Sequence, residues 1–207
     1  MACLRRDLLR RACGEVLEDA VYPIVVHTQR ESARRQRRGR AIMLLEGSCH
    51  CRAVRFRVET PEPYPFMYCY CSICRKTAGG GYAINLGALS DTLEVEGEEN
   101  LRIYNAKLYD RGDEVPVSEA ERNFCGLCGS ALWVYDPNWP ELVHPFASAV
   151  DTPLPRPPER DHIMLDFAAP WCEIPSGPTE RYFTEYPDES LADWHERHGL
   201  RDAPEDG

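Results

Sequence analysis

The chain has 207 residues, a formal net charge of −10 and ten cysteines. That length suits one domain with a buried core plus some additional sequence. No apolar run approaches the roughly 20 residues that a membrane-spanning helix needs, so no membrane partner is expected. The charge is uneven: residues 1–42 hold ten Lys and Arg against five Asp and Glu, whereas the rest holds 14 against 29. A body that acidic repels phosphate backbones, which argues against nucleic acid as a partner.

Residues 1–42 read as a basic N-terminal extension, disordered or partly helical. Leu4, Leu8, Leu9, Ala12, Val16 and Leu17 recur with roughly helical spacing. Arg30 to Arg40 is a basic run with almost no apolar content. Asp7, Glu15, Glu18, Asp19 and Glu31 are too many acids for a transit peptide. No continuous apolar segment precedes a small-residue cleavage site, so a cytoplasmic location is expected.

From Leu44 onward the pattern is mostly β. Val54, Phe56 and Val58 alternate with Arg55 and Arg57, as in a half-buried strand. Further strands are expected at Tyr82–Leu86, Leu93–Glu96, Leu101–Tyr104, Arg122–Cys125, Ala131–Tyr135, Val143–Ala149 and His162–Phe167. Proline-rich connections at Pro61–Pro65 and Thr152–Pro158 separate some of them. One short C-terminal helix is expected, with Asp188 as its N-cap, Leu191, Trp194, His195 and His198 on one face, and Gly199 as its stop. The fold class is therefore mainly β: a compact domain over residues 43–200, followed by an acidic tail at 201–207.

Seven of the ten cysteines fall into three clusters: Cys49-His50-Cys51, Cys69-Tyr70-Cys71-Ser72-Ile73-Cys74 and Cys125-Gly126-Leu127-Cys128-Gly129. Close pairs in a reducing compartment point to metal binding rather than disulfides, and neither Cys-x-x-Cys has the βαβ context of a redox motif. Four thiolates close a tetrahedral structural zinc site, whereas three leave a position open for water or substrate. Seven divides into four plus three, giving two zinc ions: one that holds the fold and one that is labile or catalytic. If the first pair lies on a strand, its two sulfurs share a side. Zinc joining that pair to the late pair would staple the start of the sheet to its middle. Arg75 and Lys76 follow the middle cluster at once and suit a carboxylate, and Gly79 to Gly81 let a ligand approach the backbone. Cys3, Cys13 and Cys172 stand alone as ordinary thiols.

These motifs resemble the glutathione-dependent formaldehyde-activating (GFA) family, which also includes centromere protein V. Gly47-Ser48-Cys49-His50-Cys51-Arg52 is similar to its opening motif, Cys69 to Lys76 to its Cys-x-Cys-x-x-Cys-Arg-Lys core, and Phe124 to Gly129 to its knuckle. Pro170-Trp171, the Tyr186 to Ser190 stretch and Trp194-His195 are similar to the tail of many bacterial members. The resemblance implies a fold of several coiled antiparallel β-sheets stapled by zinc. It implies a structural zinc on Cys49, Cys51, Cys125 and Cys128, and a labile zinc on Cys69, Cys71 and Cys74. The implied activity is a carbon–sulfur lyase reaction, adding glutathione or a similar thiol to formaldehyde or another small aldehyde to give an S-hydroxymethyl adduct. Tyr70 and Arg52 depart from the His and Gly common in the family at those positions.

In this reading Cys69, Cys71 and Cys74 form the catalytic zinc site, Arg75 and Lys76 bind the substrate, and His50, Tyr70 and His144 are candidates for proton transfer. The expected partners are a small-molecule thiol and aldehyde. The competing expectation is a non-catalytic zinc module, acting as a thiol carrier or a protein-interaction domain.

Overall fold

A computed structural model describes residues 42–109 and 115–200. The basic extension, apart from its last residue, and the acidic tail lie outside the described residues. Among those described, no helix is long and apolar enough to cross a membrane.

The first sheet has three antiparallel strands: β1 (Met43–Ser48), β2 (Arg55–Thr60) and β6 (Glu94–Glu96), with β2 central. Along β2, Phe56, Val58 and Thr60 are buried while Arg55 and Arg57 are exposed. That is the alternation expected of a strand with one face on the core. Gly47 in β1 is required sterically: a Cβ there would lie 2.3 Å from the Phe56 ring and 2.4 Å from the Ala149 carbonyl.

The second sheet has five antiparallel strands in the order β5 (Ala88–Leu89), β10 (Leu142–Pro145), β9 (Ala131–Tyr135), β8 (Val117–Cys125) and β7 (Leu101–Lys107). The third has four strands in the order β12 (Glu180–Tyr182), β11 (Arg160–Ile163), β3 (Phe66–Cys69) and β4 (Ala83–Asn85). The mainly β expectation holds, but this third sheet is mixed: β11 pairs in parallel with both β3 and β12.

Several strand bounds differ from expectation. β8 starts at Val117, five residues before Arg122. β10 and β11 are each cut short, giving way to 3-10 turns at Ala147–Ala149 and Leu165–Phe167. Before the second turn, Met164 takes a left-handed φ of 60°, which a continuing strand does not allow.

The expected C-terminal helix is α2 (Leu191–Arg197). Its N-cap is Ser190 rather than Asp188. The Ser190 hydroxyl accepts from the Asp193 N–H while the Asp193 side chain accepts from the Ser190 N–H. Two orphan donors are satisfied at once, which the Asp188 position cannot match. Trp194 is buried, and the His195 ring meets the Tyr64 carbonyl at 2.8 Å.

The five-stranded sheet is covered on both faces. Trp133 belongs to the larger core, with Leu45, Val54, Phe56, Leu86 and Leu132, and meets Phe56 edge-on at 5.3 Å. Its strand neighbour Val134 belongs to a second core, with Ala120, Phe146 and Ile163. A register shift at Leu132 lets it share the core of Trp133; beyond it adjacent residues point to opposite faces, so at Trp133 and Val134 the two cores sit on either side of β9. Cys49 and Cys125 lie in the first core, Cys69 and Cys74 in the second.

Candidate metal centres

The first centre is built by two tight turns. β1 ends at Ser48, and the chain then reverses: the Arg52 N–H donates to the Cys49 carbonyl (2.9 Å), and the Cys49 N–H donates to that of Val54 (3.0 Å). Cys49 and Cys51 therefore lie in a turn, not on the expected strand. Arg52 closes it with a left-handed φ of 60°. The second turn links β8 to β9, with the Gly129 N–H on the Cys125 carbonyl (2.8 Å) and the Cys125 N–H on that of Ser130 (2.9 Å). Gly129 takes a φ of 74°, the backbone reason for glycine in this knuckle. The His50 N–H donates to the Ser130 hydroxyl (3.0 Å) and ties the turns together.

These turns bring the Cys49, Cys51, Cys125 and Cys128 sulfurs within 4.8 Å of one another. Cys49 and Cys51 are 3.5 Å apart, and Cys51 and Cys125 are 3.7 Å apart. Zinc–thiolate bonds of about 2.3 Å in a tetrahedron place sulfurs about 3.8 Å apart, so the donor set and spacing fit zinc. Backbone N–H groups of Val54 and Leu127 point at the Cys49 and Cys125 sulfurs, at 3.3 and 3.4 Å. The Ser130 hydroxyl beside Cys128 holds that thiol down to about 5. Four sulfurs this close cannot all ionise without a cation between them, and burial of Cys49 and Cys125 sharpens that constraint.

The second centre spans a strand end and a short helix that the strand-like reading of this cluster did not anticipate. Cys69 is the last residue of β3, Cys71 is the N-cap of α1 (Ser72–Ala78), and Cys74 lies inside that helix. The Cys71 sulfur accepts from the Cys74 N–H at 3.3 Å, as a capping side chain does. The three sulfurs again lie within 4.8 Å of one another. Contacts from Cys69 and Cys74 hold Cys71 down to about 2. Contacts from Cys71 and Cys74, together with burial, push Cys69 up. For Cys74, the Cys69 contact acts downward, but the Cys71 contact and burial outweigh it and bring the thiol to about 12. Three sulfurs crowded together cannot all ionise without a cation, so a metal bound here displaces protons.

Arg75 and Lys76 occupy the last turn of α1; Lys76 is exposed, and the buried Nε of Arg75 has no hydrogen-bond partner among the described residues. Gly79, Gly80 and Gly81 all take positive φ. At Gly81 a Cβ would press against the Cys172 sulfur at 2.8 Å, which places that lone thiol against the glycine loop.

The proton-transfer candidates are placed elsewhere. Tyr70 is fully buried, with its hydroxyl 2.9 Å from His162 Nδ1, and His162 Nε2 lies 2.7 Å from the buried Glu180. That chain commits the Tyr70 hydroxyl to the core of the third sheet. His144 Nδ1 is 3.1 Å from the Leu86 carbonyl, and burial lowers its pKa. His50 belongs to the four-cysteine centre.

The sequence alone assigns no functional role to two further residues, Arg122 and Tyr186. Arg122, in the middle of β8, has a buried Nε and Nη1 without partners among the described residues. Tyr186 keeps 60 % of its surface exposed. Dense surroundings at its phenol raise the pKa to about 12, with the Cys69, Cys71 and Cys74 charges adding to the rise. A cation in a strand otherwise facing an apolar core was the available signal for Arg122.

The family model for the glutathione-dependent formaldehyde-activating enzyme matches residues 44–165, a span that contains both cysteine centres. The chain belongs to the GFA family. This GFA protein is 62 % identical over 161 residues, 77 % of its own length and 99 % of the other's, to a protein of Halomonas elongata. That relative is provisionally named a glutathione-dependent formaldehyde-activating enzyme. A crystal structure of a Rhodobacter sphaeroides protein is 28 % identical, covers 54 % of this chain and 92 % of its own, and has a TM-score of 0.42.

Proposed function

We propose that the protein is a zinc-dependent carbon–sulfur lyase that joins glutathione, or a similar small thiol, to formaldehyde or another small aldehyde as an S-hydroxymethyl adduct. The observation that carries this reading is the three-sulfur site on Cys69, Cys71 and Cys74, whose donors leave one position of a tetrahedron free. A module built only for stability has no need of that second, incomplete centre. The names of the family and of the Halomonas relative supply the thiol and the aldehyde.

In this reading Cys49, Cys51, Cys125 and Cys128 hold a structural zinc, and Cys69, Cys71 and Cys74 hold a labile one. Bound at the triplet, zinc supplies a Lewis-acidic position that favours the thiolate form of a substrate thiol at neutral pH. Arg75 and Lys76 draw a glutathione carboxylate to the mouth of the site. A sulfur–carbon bond then forms, the carbonyl π bond opens, and the proton released by the thiol ends on the oxygen. Holding the two reactants together supplies much of the acceleration. We assign residues 43–200 to this catalytic domain, and its reduced thiol ligands suit a cytoplasmic setting.

The test is isothermal titration of the zinc-loaded protein with glutathione, paired with the rate of S-hydroxymethylglutathione formation above background. Binding with acceleration supports the lyase. Binding without acceleration supports a thiol carrier, and no binding removes glutathione as the substrate.

A further inference from the structure

Among the described residues near the triplet, two arginines carry buried nitrogens without an acceptor: Arg75 at Nε alone, and Arg122 at both Nε and Nη1. Ala120 and Val134 pack in the same core as Cys69 and Cys74. Arg122 stands two residues from Ala120 on β8 and directly opposite Val134 on β9. Both relations put the Arg122 side chain on the sheet face that covers the triplet. Its Nε and Nη1 are buried without an acceptor among the described residues. Two guanidinium N–H groups that surrender water and receive no acceptor are costly unless an acceptor arrives.

Two anions are available in the reaction: a carboxylate of the thiol and the oxygen of the adduct as it forms. Carboxylates have Arg75 and the exposed Lys76. Arg122 instead stands on the sheet face packed against the core that holds Cys69 and Cys74, half-buried, with its Nε and Nη1 turned away from water. When a thiolate adds to an aldehyde, the carbonyl oxygen takes up the electron pair of the broken π bond and becomes an alkoxide before it is protonated. Fixed N–H donors in a dry site stabilise such charge without reorganising.

We propose that Arg122 is a catalytic residue of this site, donating hydrogen bonds from Nε and Nη1 to the oxyanion that develops as thiol adds to aldehyde. This rests on the lyase reading above. Sulfur–carbon bond formation and oxygen protonation stay balanced as written there, because Arg122 only donates hydrogen bonds and keeps its own protons.

The test compares Arg122→Gln and Arg122→Lys with the wild type as zinc-loaded full chains. Three quantities are measured: zinc content, the affinities for glutathione and for glutathione sulfonate by titration, and kcat. The sulfonate carries anionic oxygens near the place where the adduct oxygen forms. Expected for Arg122→Gln are unchanged zinc content, an unchanged glutathione Kd, a tenfold or greater loss of sulfonate affinity, and a kcat lower by about 10²-fold. Arg122→Lys retains the charge and the fold but not the planar fork, and falls between the two. Weaker glutathione binding that accounts for the whole rate loss makes Arg122 a carboxylate anchor and overturns the proposal. Loss of zinc with the rate makes it a charge-balancing residue and overturns it as well. Wild-type rate and sulfonate affinity in the variants overturn it while leaving the lyase reading intact. An inactive wild type refutes the lyase reading itself, and the oxyanion role with it.

Discussion

Asp161 offers a quantitative test of how the third sheet is assembled, because it is a buried carboxylate in the strand that seats β3 and hence Cys69. It is 1 % exposed, its Oδ1 has no hydrogen-bond partner among the described residues, and its nearest cation, Arg181 Nη1, is 3.8 Å away. Burial is the main cause that raises its pKa from 3.8 to about 6, with Glu159 and Glu189 adding to it and Arg181 opposing. An acid with a folded pKa above its unfolded one holds its proton more tightly in the fold. Its contribution to stability is therefore whole below about pH 3.8 and is lost as pH climbs through about 6. The full loss is about 3 kcal/mol, of which about 1.4 kcal/mol falls between about pH 5 and pH 7.5. Asp161→Asn removes the titration, so its stability relative to the wild type should rise by about 1.4 kcal/mol over that interval. Urea unfolding of both proteins at the two pH values reads this directly, and the pH dependence of zinc binding cancels in the difference. A constant difference between the proteins, or one that shrinks as pH rises, refutes the reasoning.

Three further outcomes follow from the centres themselves. Arg52→Gly releases a side chain from a left-handed φ and is expected to gain about 0.5–1 kcal/mol after the entropy of glycine is subtracted, read as a higher urea midpoint. Cys125→Ser removes a fully buried sulfur from the four-cysteine centre, and its loss of metal-linked folding energy, on the order of 10 kcal/mol, should exceed what a marginally stable domain can spare. Circular dichroism should show the loss of β structure. Mild chelation should remove about one zinc, the one on the triplet, and leave the β signal in place, as metal analysis after dialysis reveals.

The cysteine spacing made both centres legible, since ligands close in sequence are brought together by local turns. The Cys125–Gly129 knuckle was readable to the residue because Gly129 is needed for its φ. The Cys49 turn was read as a strand because Arg52 conceals a left-handed position that glycine would have signalled. Helix α1 was missed because seven residues carry too short a periodic face to register, and its cap is a cysteine. The parallel pairing of β11 with β3 joins residues more than ninety apart, and no local pattern encodes such a partner. Arg122 was read as a strand start; only the pairing with Val134 reveals that its side chain belongs to the buried face. The Tyr70–His162–Glu180 chain is likewise invisible in the sequence, since its members lie 92 and 18 residues apart and only the sheet pairing joins them.

The account turns on two centres with separate duties, and Cys71→Ser tests it most directly. Zinc per chain, the thermal unfolding midpoint and the rate of S-hydroxymethylglutathione formation are measured on the same preparation. The account predicts one zinc retained, a midpoint close to that of the wild type and a rate at background. A wild-type rate, or loss of both zinc ions together with the fold, contradicts it.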